Sequence, residues 1–272
     1  MTTGIERFEG TVMAVNSFLL HAPDGLLVVD GQLTVSDASA LRDRIATIAR
    51  PVAAVLVTHP HPDHYAGAAV AVGESVPIYA TAAVDAVIRR DDTEKDAIVG
   101  SLMGREWPTR RRFPDHVLES GSSVRLAGAD LTVEDLGPGE SHADSVWKLG
   151  DDWFIGDVLC HGTHAYLADG EYEGWIATLA ALSERAGPRT RLLPGHGVPA
   201  HRDALAGQRE YVRTFVDAVA AALGLDPTDR AEAVMARMSG LVDDERLRFL
   251  TELSIEPVAQ RMATPNGQDV PA

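Results

Sequence analysis

VAAVLVTHPHPDH, residues 52–64, runs from an apolar stretch straight into three imidazoles and a carboxylate. Residues 52–57 form a short, continuous apolar run free of charge, as in a strand buried on both faces. The polar cluster therefore falls at a strand end. Alternate residues of an extended segment point the same way, so His59 and His61 can share one ion. Pro62 suits the first turn of a helix, which swings Asp63 and His64 onto another heading. Two metal positions are thereby suggested. Imidazole and carboxylate without thiolate suit Zn²⁺ first, with Fe or Mn as competitors.

Outward from this motif, the chain alternates strand-like and helix-like patterns. Upstream, the apolar residues from 10 to 20 and from 26 to 29 flank Pro23-Asp24-Gly25 and predict a hairpin. Ser36 is placed to cap a helix reaching about residue 50. Downstream come an Ala-rich helix to about residue 71, a strand at 77–79 and a helix from 81 or 82. Residues 101–120 lack periodicity and are predicted to be a long surface loop. Runs at 123–126, 131–136, 145–149 and 153–155 predict a β-meander with a loop at 137–144. Trp175, Leu179 and Leu182 mark a helix face, and 191–193 a strand.

Beyond residue 200 the pattern is wholly helical, with one amphipathic face through Leu205, Val212, Phe215, Val219 and Leu223 and further helices at 230–238 and 245–253. The expected organisation is an α/β domain over 1–200, a helical extension over 201–262 and a flexible polar tail over 263–272. The extension is expected to form a wall of the substrate entrance or to support a homodimer.

Three more donors stand where strands end or glycines turn the chain. His142 lies in the loop Gly137-Pro138-Gly139-Glu140-Ser141-His142-Ala143-Asp144, Asp157 follows a strand, and His196 lies in Pro194-Gly195-His196-Gly197. Such positions lie along one rim of the sheets, where α/β enzymes assemble their sites. His164 and Tyr65 are the candidates for substrate contact, against a structural loop histidine and a core tyrosine respectively.

These pieces resemble the metallo-β-lactamase superfamily. Val29-Asp30-Gly31, residues 58–64, the His142 loop, Gly156-Asp157 and Pro194-Gly195-His196-Gly197 reproduce its five motifs in order, from residue 30 to 197. Ala66-Gly67, where two glycines are frequent, and the two prolines of the histidine loop depart from the commonest pattern without removing a ligand. The resemblance implies a four-layer αββα sandwich. It implies two Zn²⁺ per chain: one on His59, His61 and His142, a second on Asp63, His64 and His196, with Asp157 bridging. Asp30 is implied to stand behind the ligands and orient the histidine loop.

The implied activity is hydrolysis of a small ester, lactone or thioester by a metal-bridging hydroxide, since zinc brings the pKa of bound water to about 7. Asp63 is primarily a ligand and could accept a proton. A β-lactam or a hydroxyacylglutathione-type thioester is the alternative substrate. A mononuclear non-haem iron oxidoreductase of the same superfamily is a second alternative, which the intact Asp63, His64 and His196 disfavour. A non-catalytic binding module predicts lost ligands, and none is lost.

Composition narrows the field further. Forty acidic against 24 basic residues give a formal charge of -16, a surface that repels nucleic acid and anionic membranes. No stretch approaches the ~18 apolar residues of a membrane span, and the N-terminus does not read as a secretory signal. Cys160 is the single cysteine, expected to be a small buried apolar residue, so no internal disulfide can form. A cytoplasmic location and a small-molecule partner are expected, with neither nucleic acid nor membrane.

Overall fold

The computed structural model describes residues 4–264. Strands β1 (Gly4–Glu9), β2 (Asn16–Ala22), β3 (Gly25–Val29), β4 (Val52–Leu56), β5 (Ile78–Thr81) and β6 (His116–Leu118) form one sheet in chain order. Strands β7 (Ser123–Leu126), β8 (Ala129–Gly137), β9 (Asp144–Leu149), β10 (Asp152–His161) and β11 (Arg191–Gly197) form the second, in the order β11-β10-β9-β8-β7. The hairpin β2–β3 and the meander β7–β10 are antiparallel, whereas β3–β4 and β10–β11 run parallel. Parallel neighbours need crossovers. Helix α1 (Val35–Ile48) joins β3 to β4, and α5 (Tyr172–Arg185) joins β10 to β11.

Side-chain alternation along the strands assigns residues to layers. In β3, Leu26 and Val28 pack with Leu41 of α1 on the outer face, while Leu27 and Val29 face Leu131, Val133, Trp147 and Phe154 of the other sheet. In β10, Phe154 joins that inter-sheet core and Ile155 turns outward to Trp175 and Leu179 of α5. The three apolar layers make the four-layer αββα sandwich. Helices α6 (Ala204–Ala221), α7 (Pro227–Met238) and α8 (Arg248–Ala263) bury Phe215, Met238 and Val258 in the same cluster as Trp175 and Val158. The change of pattern near residue 200 is thus a change of secondary structure across which one core runs.

Several local expectations are corrected. Helix α4 runs Ala82–Met103, a 3-10 turn Gly104–Glu106 follows and β6 comes soon after, where a long loop was expected. The end of α4 exposes Ile98 and Leu102, which blurs the helical pattern. The Ala-rich segment is two short helices, α2 (Pro62–Tyr65) and α3 (Ala68–Val72). The cap of α1 is Thr34, whose side chain accepts from Asp37 N, instead of Ser36. The first strand of the hairpin starts at Asn16, and half-buried β1 was not anticipated. Helix α8 is longer than expected and reaches Ala263; residues 265–272 of the expected tail lie outside the described residues. Among the described residues no helix is long and apolar enough to cross a membrane.

Candidate metal centre

The strand ends deliver the donors to one buried place. His59 and His61 leave β4, and Pro62 at the start of α2 turns Asp63 and His64. Asp157 comes from within β10 and His196 from β11. Two donor groups result: Asp63, His64, Asp157 and His196, and beside it His59, His61 and Glu140. In the first, His196 Nε2 lies 3.2 Å from both Asp63 Oδ2 and Asp157 Oδ2, and His64 Nε2 lies 3.5 Å from Asp63 Oδ2 and Asp157 Oδ1. In the second, His61 Nδ1 is 3.0 Å and His59 Nε2 is 3.7 Å from Glu140 Oε2. Asp157 Oδ2, 3.8 Å from His59 Nε2, connects the two.

Each imidazole turns one nitrogen to this centre and has the other fixed behind it. His64 Nδ1 lies 2.8 Å from Asp30 Oδ2. The Thr58 hydroxyl donates to Asp30 Oδ2, so its oxygen accepts from His59 Nδ1–H at 3.0 Å. His61 Nε2 is 3.3 Å from Asp169 Oδ2, and His196 Nδ1–H donates to Ala14 O at 3.2 Å. Metal-ligating histidines are oriented in this way, which fixes the tautomer that leaves a lone pair inward. Asp30 itself sits at φ 62°, a left-handed conformation that Asp tolerates. Lys95 donates to Pro60 O at 3.0 Å and so holds the backbone between His59 and His61.

Several of the inward atoms lack a well-aligned hydrogen-bond partner. His59 Nε2, His64 Nε2, both Glu140 carboxylate oxygens and Asp157 Oδ1 are buried without a hydrogen bond. A buried polar atom left unpaired is costly, and here five converge. The donor set fits a divalent cation of the Zn, Fe or Mn type. Electrostatics agree. Burial alone would disfavour charge on His61, His64 and His196, yet the adjacent carboxylates pull their pKa values upward, His196 to about 10. Burial lowers His59 well below the usual imidazole range, and it lifts the Glu140 carboxyl to about 8. An inserted cation would replace the histidine protons as the balancing charge.

Two glycines make the approach possible. A Cβ on Gly195 would run into Asp157 Oδ1 and stand 2.7 Å from His64 Cε1. Gly156 has φ 57°, and a Cβ there would meet Thr58 Oγ1 at 2.8 Å. Both packings are required for β10 and β11 to bring Asp157 and His196 beneath the histidine loop.

The structure brings together His59, His61, Asp63, His64, Asp157 and His196, with Asp30 behind them. His142 does not join them. Its side chain is 37% exposed, with Nδ1 3.1 Å from Glu171 Oε1, and Glu140 occupies the inward position of the same loop. Asp144 shapes that loop: its Oδ2 accepts from Glu140 N and Ser141 N, and its Oδ1 accepts from the Ser141 hydroxyl. Tyr65 takes the core position that was the alternative to substrate contact. It is fully buried and donates to Asp92 Oδ1 at 2.8 Å. His164 is also buried away from the donors, 2.7 Å from Tyr211 OH and 3.1 Å from Glu245 Oε2. Glu140, Asp169 and Tyr166, whose ring stands edge-on to His61 at 5.4 Å, were not anticipated. For Glu140 the signal was its carboxylate directly after the Pro138-Gly139 turn, as competent a zinc ligand as imidazole.

Known proteins are similar to this chain in sequence and fold. The family profile described as "Metallo-beta-lactamase superfamily" matches residues 10–196. The metallo-beta-lactamase IND-1 of Chryseobacterium indologenes is 24% identical over 196 residues, covering 70% of this chain and 74% of its own. A hydroxyacylglutathione hydrolase of Methylobacterium nodulans is 28% identical over 247 residues, covering 81% and 91%. Among solved structures, a stereoselective inverting sec-alkylsulfatase from Pseudomonas sp. superposes with a TM-score of 0.68 at 17% identity over 96% of this chain. The chain spans about half the length of that protein, 49%.

Proposed function

The chain belongs to the metallo-beta-lactamase superfamily, and from its donor arrangement we propose that it is a binuclear zinc-dependent hydrolase of small esters, lactones or thioesters. One ion would be held by His59, His61 and Glu140, the other by Asp63, His64 and His196, with Asp157 shared. The observation that carries this reading is the convergence of unpaired, buried donor atoms from both groups across Asp157. Zinc held at these positions would supply Lewis acidity and a water of pKa about 7.

The chain's own residues do the rest. Asp30, Thr58, Asp169 and the Ala14 carbonyl hold the imidazoles with their lone pairs inward. His64 and His196 pin Asp63 at its Oδ2, which favours its ligand role over proton transfer. Glu140 in place of His142 adds a third carboxylate to Asp63 and Asp157, so two divalent ions leave a smaller positive charge at the centre. Neutral substrates are favoured over polyanions, and the charge of -16 acts in the same direction. A glutathione thioester or a β-lactam carries carboxylates and is the less favoured substrate. We place the protein in the cytoplasm, acting on a small molecule.

Metal quantification joined to a hydrolysis panel of lactones, aryl esters, thioesters, β-lactams and alkyl sulfates tests the reading. Two zinc ions per chain and turnover confined to neutral carboxylic esters, lactones or thioesters are expected. One iron per chain with oxygen consumption would establish the oxidoreductase alternative in its place.

A further inference from the structure

Helix α8 lies beyond the residues that the family profile matches, yet it is bonded to the segment that meets His61. That segment, residues 162–170 between β10 and α5, belongs to no helix or strand. Its supports come from beyond residue 210. Asp243 N and Asp244 N donate to Gly162 O at 3.1 and 3.0 Å, and Tyr211 OH engages His164 and Ala165 N. On α8, the Thr251 hydroxyl donates to Ala165 O at 2.8 Å, Ser254 Oγ accepts from Leu167 N at 2.8 Å, and the Arg261 guanidinium donates to Asp169 O at 2.6 Å. At about 100° per residue, positions 251, 254 and 261 fall within about 80° of one another, so a single face of the helix makes all three bonds. Ten helical residues rise about 15 Å and four extended ones span about 13 Å, so residues 165–169 lie along that face.

The segment brings two side chains to a metal donor. Asp169 Oδ2 is 3.3 Å from His61 Nε2, and the Tyr166 ring stands edge-on to the same imidazole at 5.4 Å. His61 Nδ1, the other ring nitrogen, faces Glu140. The two carboxylates behind the histidines are held differently. Asp30 accepts from Thr58 N and from the Thr58 hydroxyl, which fix it through its side chain. Among the described residues the Asp169 carboxylate meets only His61 and, at 3.9 Å, His142. Its place is therefore set through its backbone, whose carbonyl is held by Arg261. Gly170, at φ 75°, gives that guanidinium its room, because a Cβ there would overlap it.

We propose that α8 is a remote positioning element of the metal centre: Ser254 and Arg261 set residues 167–169, and through Asp169 they aim His61 at the first ion. Both are positioning residues, and neither is among the donors. The assignment rests on the reading that His59, His61 and Glu140 hold an ion. The other ion lies outside its reach, because His64 is backed by Asp30 and His196 by Ala14 O, neither of which belongs to the segment.

Zinc affinities of the full chain, measured by chelator competition for Asp169→Ala, Arg261→Ala and the two combined, test the proposal. Asp169→Ala should weaken one ion about 10–100-fold, the range for partners behind ligands, and leave the other unchanged. The ion affected should be the one that Glu140→Gln also weakens. Arg261→Ala should weaken the same ion about tenfold, the lower end of that range, and Arg261→Lys, which keeps a donor, should recover most of the loss. Since Arg261 acts through Asp169, the combined variant should bind no more weakly than Asp169→Ala alone, whereas independent effects would add. Ser254→Ala, which removes the acceptor of Leu167 N, carries the same expectation and replaces Arg261→Ala if that variant does not fold. Additive losses, equal losses at both ions, or parental affinity in Arg261→Ala would overturn the proposal. A parent that binds a single ion refutes the binuclear reading instead, and the proposal then stands or falls on whether that ion weakens with Asp169→Ala and Arg261→Ala.

Discussion

Replacing Glu140 by glutamine should push the metal-free and metal-loaded proteins in opposite directions. The Glu140 side chain is fully buried, and its one close polar neighbour is His61 Nδ1, 3.0 Å from Oε2. Burial lifts its carboxyl from the usual value near 4.5 to about 8. For an acid raised in this way, the folded state is penalised as pH rises above the unfolded pKa, and the penalty is nearly complete once pH reaches the folded value. One pKa unit corresponds to about 1.4 kcal/mol, but the charge on His61 is coupled to that on Glu140, so a figure of ~2 kcal/mol at pH 7 is the appropriate scale. Metal-free Glu140→Gln should therefore be more stable than the parent by about that amount at pH 7, and equal to it below about pH 4.

With zinc the order reverses. Loss of an anionic ligand should weaken the first site at least about 100-fold, given that even the partners behind ligands are worth 10–100-fold. Under excess metal that removes roughly 2.7 kcal/mol of ligand-induced stabilisation. Melting curves in chelator and in zinc, together with metal stoichiometry, read both effects. His142→Ala should leave stoichiometry and both curves close to the parent, since His142 points to Glu171. If Glu140→Gln retained two ions at parental affinity while His142→Ala lost one, the inward placement of Glu140 would be refuted.

Other substitutions probe the supports of the site. Gly195→Ala drives a Cβ against Asp157 and His64 and should cost about 1–3 kcal/mol, with loss of the second metal and of turnover; a fully metallated, active variant would contradict the required close approach. Tyr65→Phe removes the hydrogen bond to Asp92, a buried carboxylate also held by Arg111, and should cost about 1.5–3 kcal/mol in denaturant unfolding with KM unchanged; an altered KM would return Tyr65 to the substrate site. Glu134 is held down to about pKa 2 by Arg185 and then Lys148, against an unfolded value near 4.5. Its stabilisation is present above pH 4.5 and lost as pH falls through about 2; because the carboxylate is only half-buried and its partners reach solvent, Glu134→Gln should cost no more than about 1 kcal/mol at pH 7, and less in high salt. A cost that persisted at pH 2 or grew with salt would rule out the ion pairs as its source.

What the sequence discloses about the site is the part that local geometry decides. An apolar strand ending in alternate histidines, with Pro62 to open a helix, places His59, His61, Asp63 and His64 through backbone periodicity alone, and the structure follows it. Asp157 and His196 were signalled by a short apolar run meeting a glycine, although both lie inside strands longer than those runs, β10 and β11. Glu140 and His142 are another matter, because both are competent ligands two residues apart in one loop. Which of them faces inward depends on how Asp144 gathers the Glu140 and Ser141 amides, a turn that no residue-type pattern encodes. The same holds for Tyr65 and His164, whose partners Asp92 and Tyr211 are 27 and 47 residues away and reach them only after the helices pack. Choosing the ligand by type favoured histidine; choosing it by the unpaired buried oxygen favours glutamate. The difference is one unit of negative charge in the first site, and it moves the preferred substrate further from anions than the histidine-based reading did.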